Sequence, residues 1–195
     1  IASKRFIVVE DVFDDFVKKF KTNVEAKKFG DPMEDSTFIG PLATESILGD
    51  IVEQVDKSVE KGAKVVLGGK RQEGVGYFYE PTLLSEVGPG MPVYDSETFG
   101  PVAAIIKVKD EEEAIRVAND TPLGLGGSIW SRNTEKAKKL SHHVDAGAVF
   151  INGMVKSDPR LPFGGVKKSG YGRELSGEGI KHFCNVKTIW IGKND

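Results

Sequence analysis

The stretch "DSETFGPV", residues 95–102, sets a carboxylate and an aromatic ring two positions apart, just ahead of a Gly-Pro pair. In that setting Glu97 can accept hydrogen bonds from a ribose diol, and Phe99 can support a flat ring. Taken alone, the same residues read as a turn entering a strand. A second stretch, "LPFGGVKKSGYGRE" (161–174), gathers Gly164, Gly165, Gly170 and Gly172 around Phe163. Glycines at this density let backbone approach a ligand closely, and Phe163 can then line a pocket wall. The plainer alternative is a long surface loop closed by a helix start at Arg173-Glu174. Gly170-Tyr171-Gly172 neither follows a strand nor opens a GxGxxG helix, so it is no dinucleotide fingerprint. Between the two lies "FINGMVKSDPR" (150–160), a strand that ends at Asn152 and runs into a loop. That puts polar groups at the carboxyl edge of a sheet, where open α/β folds bind ligands. Ser157 and Arg160 can hold an anionic group there, the arginine as a bidentate fork. Singly, each reads as loop decoration.

Other chemistries find little support. His142, His143 and His182 have no partner at metal-ligand spacing. The one thiol, Cys184 in "HFCNVKT", precedes an apolar segment and reads as a buried structural cysteine rather than an activated nucleophile. No GxSxG, P-loop or HExxH occurs, and the residues present make no complete catalytic set. Lys plus Arg is 27 against 29 Asp plus Glu, a net charge of −2, so no basic surplus argues for nucleic acid or an anionic membrane. No apolar run is long enough to span a bilayer, and neither a secretory nor a transit segment is visible. A single cysteine excludes an intrachain disulfide framework and points to the cytoplasm.

The elements that must position these residues follow from periodicity. Residues 6–9 read as a buried strand; Val12, Phe13, Phe16, Val17, Phe20 and Val24 then recur at helical spacing. Ile47, Leu48, Ile51, Val52, Val55 and Val59 mark a second amphipathic helix, stopped at Gly62, which feeds the strand "AKVVLGG". "GYFYEPTLLSEV" reads as a strand pair interrupted by Pro81. "PVAAIIKVKD" is a continuous apolar run, as in a strand covered on both faces, and an acidic helix start follows it. "GGSIWS" is a strand, "RNTEKAKKLSHHV" a basic helix and "GAVFIN" a strand, whereas "NVKTIWIGKND" alternates like a last strand. The alternation predicts an α/β fold with a mainly parallel twisted sheet and flanking helices. A length of 195 residues suits one globular domain or one with an appendage.

Three segments in this order resemble the aldehyde dehydrogenase superfamily. "ETFGPV" resembles the family's E-x-F-G-P segment, "AIRVANDTPLGLGGSIWS" its N-x-T-x-Y-G-L region, and "FGGVKKSGYGRE" its P-F-G-G-x-K-x-S-G-x-G-R-E signature. Ser96 and Leu123 depart from it, standing where many members have Glu and Tyr. The resemblance runs from Ile1 to about Trp190 and corresponds to the C-terminal portion of a member. It implies that residues 1–180 are part of a catalytic domain, with 181–195 a C-terminal oligomerisation strand. It also implies that Glu97 holds the nicotinamide-side ribose of NAD or NADP, with Phe99 beside ribose and ring. Phe163 would line the substrate tunnel. Ser157, five residues after Asn152, matches the serine that binds the substrate carboxylate in members acting on succinic semialdehyde, and "VFINGMVKSDPRLPFGGVKKSGYGREL" is nearest to bacterial and archaeal members of that subgroup. "IASKRFIVV" is similar to the flank that follows the family's nucleophilic cysteine, which implies a nucleophile one residue before Ile1.

The expected chemistry is thiolate attack on an aldehyde, hydride transfer to NAD(P)+ and hydrolysis of a thioester by a Glu-activated water. Nucleophile, oxyanion asparagine and general base would all lie upstream, so the chain alone is expected to be inactive and Asn152 is not the oxyanion asparagine. The implied partners are a small-molecule aldehyde and further copies of the same protein, as a dimer or tetramer. The alternatives are a dehydrogenase for another small aldehyde, of glyceraldehyde or CoA-acylating semialdehyde type, and a non-catalytic α/β nucleotide-binding or assembly domain.

Overall fold

A computed structural model describes residues Ile1–Lys193 and divides the chain into two compact units, which meet in sequence at Val117 and Ala118. The first unit is built on a four-stranded sheet. β1 (Arg5–Val9) runs straight into helix α1 (Glu10–Glu25), whose first turn carries Glu10 and Asp11 against the positive helix end. α2 (Glu45–Glu60) starts at Thr44, whose hydroxyl accepts from the Ile47 amide at 3.2 Å, and stops at Gly62, which takes φ 107°. Then come β2 (Lys64–Leu67), β3 (Thr82–Ser85), the single-turn helix α3 (Pro92–Asp95) and β4 (Val102–Val108). The strand order is β1-β4-β3-β2, with β1 and β3 parallel to β4 and β2 antiparallel to β3.

β4 occupies the middle, and its residues divide by parity. Val102, Ala104, Ile106 and Val108 join one core with Leu48, Ile51 and Val55 of α2 and Val93 and Tyr94 of α3. Ala103 and Ile105 join the other, with Val8, Phe13 and Leu83. There Phe6 and Phe20 pack with ring centroids 4.8 Å apart, and Phe16 and Phe20 at 5.5 Å. The continuous apolar run thus does what a doubly covered strand requires.

Helix α4 (Glu111–Asn119) crosses the boundary in sequence. The second unit holds β5 (Leu123–Gly124), β6 (Gly126–Ile129), α5 (Thr134–Ser141), β7 (Ala148–Ile151), β8 (Val166–Lys167) and α6 (Ser176–His182). β6 pairs parallel with β7 over four residues, and β5 pairs antiparallel with β8 over two. The chain is α/β, and its pairing among the described residues is mixed, with the longer ladders parallel.

Two expectations are corrected, the strand pair and the buried Cys184. "GYFYEPTLLSEV" gives one strand, β3, after Pro81; ahead of it Tyr79 makes only an isolated antiparallel bridge to Arg71. Gly74 and Gly76 at positive φ turn the chain too soon for a longer ladder. The alternating tail pairs with no strand of this chain as far as Lys193, and residues 194 and 195 of the expected 181–195 segment lie outside the described residues. A strand needs a neighbour to take its N–H and C=O groups, and here none is offered. Val186, Ile189, Trp190 and Ile191 are instead exposed. Cys184 is exposed as well, with Sγ 3.4 Å from the Ile180 carbonyl, because it follows α6 on that unpaired tail rather than entering a core.

Candidate functional site

In the first unit, Glu97 and Phe99 sit on the turn that enters β4. Thr98 between them is 2% exposed, whereas Phe99 is 65% exposed, so side chains alternate out, in, out. Two long side chains grip the turn by its carbonyls. Gln54 Nε2 of α2 donates to Glu97 O at 3.3 Å, and Lys4 Nζ donates to Gly100 O at 2.9 Å. Beneath them Gly100 lies on α2: a Cβ there would stand 2.9 Å from Ile51 Cδ1 and 3.3 Å from Leu42 Cδ2. The Glu97 carboxylate has no hydrogen-bond partner among the described residues. An open carboxylate beside an open aromatic face fits a diol-bearing, ring-bearing ligand. Half-burial pushes the Lys4 ammonium below its ordinary range, while the charge of Glu97 pulls the other way. A shallow polar cleft of about 230 Å³, lined by Asp50, Glu53, Gln54, Lys57 and Pro92, adjoins the Gln54 anchor.

In the second unit, β7 ends at Ile151 and Asn152 takes φ 52°, turning the chain off the carboxyl edge as expected. Its side chain is used structurally: Oδ1 accepts from Ser131 N and Nδ2 donates to Ser131 O, both at 2.9 Å. Ser157 follows on an exposed loop. Arg160 is not open to a ligand in the way the sequence suggests. It folds back on Asp158, Nε to Oδ1 at 2.9 Å and Nη2 to Oδ2 at 2.6 Å, which holds that carboxyl far below the usual range.

Phe163 is half-buried, and its backbone exchanges two hydrogen bonds with Glu174, at 2.8 and 2.7 Å. The glycines beside it are packed, not loose. A Cβ on Gly164 would come within 2.7 Å of Gly172 O, and one on Gly147 within 1.7 Å of Gly164 O. Arg173 closes the loop by donating Nη1 to Gly165 O at 3.0 Å and to Gly172 O at 2.6 Å. A cleft of about 360 Å³ lies nearby, lined by Pro159, Leu175, Ser176, Gly179, Ile180 and Phe183, with Leu175 and Ser176 both at positive φ. Neither Ser157 nor Phe163 lines it.

The structure therefore brings Glu97 and Phe99 together on one turn and puts Ser157 and Phe163 on one loop, each pair within its own unit. Lys4, Gln54 and Arg173 are the supporting residues that sequence reasoning misses. Arg173 has a faint signal in the glycines it fastens; Lys4 and Gln54 have none, since their contacts span 96 and 43 positions. Among the described residues no group of His, Cys, Asp and Glu could hold a metal ion, and no helix is long and apolar enough to cross a membrane.

This arrangement, an α/β chain with an exposed Glu-x-Phe turn and a glycine-locked loop, coincides with a family match over residues 1–189, and the chain belongs to the aldehyde dehydrogenase family. Among curated relatives, the chain is 49% identical to a succinate-semialdehyde dehydrogenase [NADP(+)] of Mycobacterium avium, covering all of this chain and 41% of the relative. It is 47% identical to one from Mycobacterium tuberculosis, covering 98% of this chain and 42% of that protein. Among solved structures, the succinic semialdehyde dehydrogenase from Streptococcus pyogenes in complex with NADP+ superposes with a TM-score of 0.92 at 42% identity, over 98% of this chain and 42% of that one. The chain thus spans about two-fifths of the length of the relatives it matches.

Proposed function

We infer that this chain forms about two-fifths of a succinate-semialdehyde dehydrogenase, where it supplies the ribose hook for NAD(P)+ and one side of the substrate tunnel. The observation that carries this reading is the pinned turn with Glu97 and Phe99 facing outward. NADP+ is the first nucleotide to test, because the relatives' names and the Streptococcus structure specify it. The bound nucleotide would supply the hydride acceptor. The chain's own residues hold and exclude: Glu97 accepts from the ribose hydroxyls, Phe99 shields the ring face, and Phe163 lines the tunnel. Residues 1–180 act as part of the catalytic domain, and the described part of the 181–195 segment that follows α6 adds a strand to another copy in a cytoplasmic homo-oligomer.

On this reading the chain itself carries no nucleophilic thiol. Its only thiol, Cys184, donates to a carbonyl and has no cation paired to it among the described residues, the opposite of an activating setting. The 195-residue chain should therefore give no NAD(P)+-linked oxidation of succinic semialdehyde. Turnover abolished by Cys184→Ser would overthrow that assignment.

Ser157 is proposed to bind the substrate carboxylate. In the full-length enzyme, Ser157→Ala should raise KM for succinic semialdehyde roughly tenfold, the worth of one hydrogen bond to a charged group, and barely move KM for butanal. Equal shifts for both aldehydes would count against the role.

A further inference from the structure

We propose that Lys4 is a positioning residue for the nucleotide clamp, its ammonium tying the far end of the Glu97–Gly100 turn to the start of β1. The inference rests on the roles given above to Glu97 and Phe99.

Three features of the geometry carry it. First, the turn has two ends and two side-chain anchors. Gln54 holds the Glu97 carbonyl and Lys4 the Gly100 carbonyl, so the segment bearing the carboxylate and the ring is fixed at both sides. Second, Lys4 already belongs to the same sheet edge through its backbone, since its carbonyl accepts from Ala104 N at 3.0 Å. Main chain and side chain together lock the entry of β4 against β1. Third, the choice of acceptor matters. Lys4 lies within electrostatic reach of Glu97, yet it donates to a neutral carbonyl and leaves the carboxylate oxygens unpaired. A lysine that bridged Glu97 directly would occupy the acceptor a ribose needs. As placed, the ammonium ties the turn through Gly100 O and does not compete for the Glu97 oxygens. A half-buried lysine against a backbone carbonyl has a desolvation cost that an aliphatic side chain would avoid, so packing alone does not account for it.

The test uses the full-length protein carrying Lys4→Met or Lys4→Arg. Hydrogen exchange is read by mass spectrometry on peptides covering 96–101 and, as a folding control, α1. NADP+ affinity is measured by fluorescence quenching, and KM for succinic semialdehyde alongside. Lys4→Met should speed exchange in 96–101 while leaving α1 unchanged, and should weaken NADP+ binding about tenfold with the aldehyde KM within about twofold. Lys4→Arg, which keeps a charged donor, should recover most of both losses. Unaltered exchange in 96–101 overturns the tie itself; faster exchange with undiminished nucleotide affinity overturns its role in the clamp. An unmodified protein that binds neither NADP+ nor NAD+ would defeat the function assigned to Glu97, and the nucleotide role of Lys4 with it, while the exchange data still decide whether Lys4 holds the turn.

Discussion

Glu97→Gln in the full-length enzyme is expected to slow hydride transfer by about 10- to 100-fold, the range for losing a hydrogen bond to a charged acceptor. A carboxylate offers two equivalent oxygens to a vicinal diol, whereas an amide offers one and replaces the other with a donor that meets the hydroxyls wrongly. Stability should not change. The side chain is exposed and makes no hydrogen bond among the described residues, and such surface substitutions stay within about 0.5 kcal/mol. The check is a single-turnover measurement of reduced-nucleotide absorbance beside a thermal melt. A normal rate with a normal melt would strip Glu97 of its assignment.

The second large effect concerns folding. Gly147→Ala would place a methyl group 1.7 Å from Gly164 O and 2.7 Å from its carbonyl carbon, against backbone that cannot swing aside. Overpacking of this sort costs about 3 kcal/mol or more, which for a chain of this size lowers Tm by roughly 10 °C. The strand β7 and the Phe163 loop meet at this point, so activity in the full-length enzyme should fall with stability. Gly177→Ala is the control. Nothing lies within 4 Å of its Cβ and it sits in α6, so that change should leave Tm level or raise it slightly. Circular dichroism melts of both variants decide the matter; a Gly147→Ala chain that melts with the unmodified one would contradict the packing described.

Much of the first unit is legible in the amino-acid pattern itself. The helical spacing from Val12 to Val24 and from Ile47 to Val59 delivers α1 and α2, and the apolar run after Pro101 delivers a strand covered on both sides. Glu97 and Phe99 stand out as a pair only through the family resemblance, since taken alone their stretch reads as a turn entering a strand. Local pattern fails where the outcome depends on a remote partner. "KTIWIG" has the alternation of a strand, but alternation supplies no neighbour, so the tail stays unpaired and takes Cys184 into solvent with it. Arg160 looks like an anion fork until Asp158, two residues away, is seen to fill it. Lys4 and Gln54 show no periodic or motif signal, because what gives them meaning is a turn far along the chain.

The parity of β4 has a consequence for how this segment can vary. Neighbouring residues of one strand serve separate cores, so substitutions can be absorbed on one side without disturbing the other. Gaining or losing a single residue between Pro101 and Ile105 is another matter, for it would send each side chain to the wrong face and shift the mount of Glu97 by one strand step, about 3.3 Å. Lineages descended from such a sequence can therefore drift in spelling along this stretch while its letter count stays frozen.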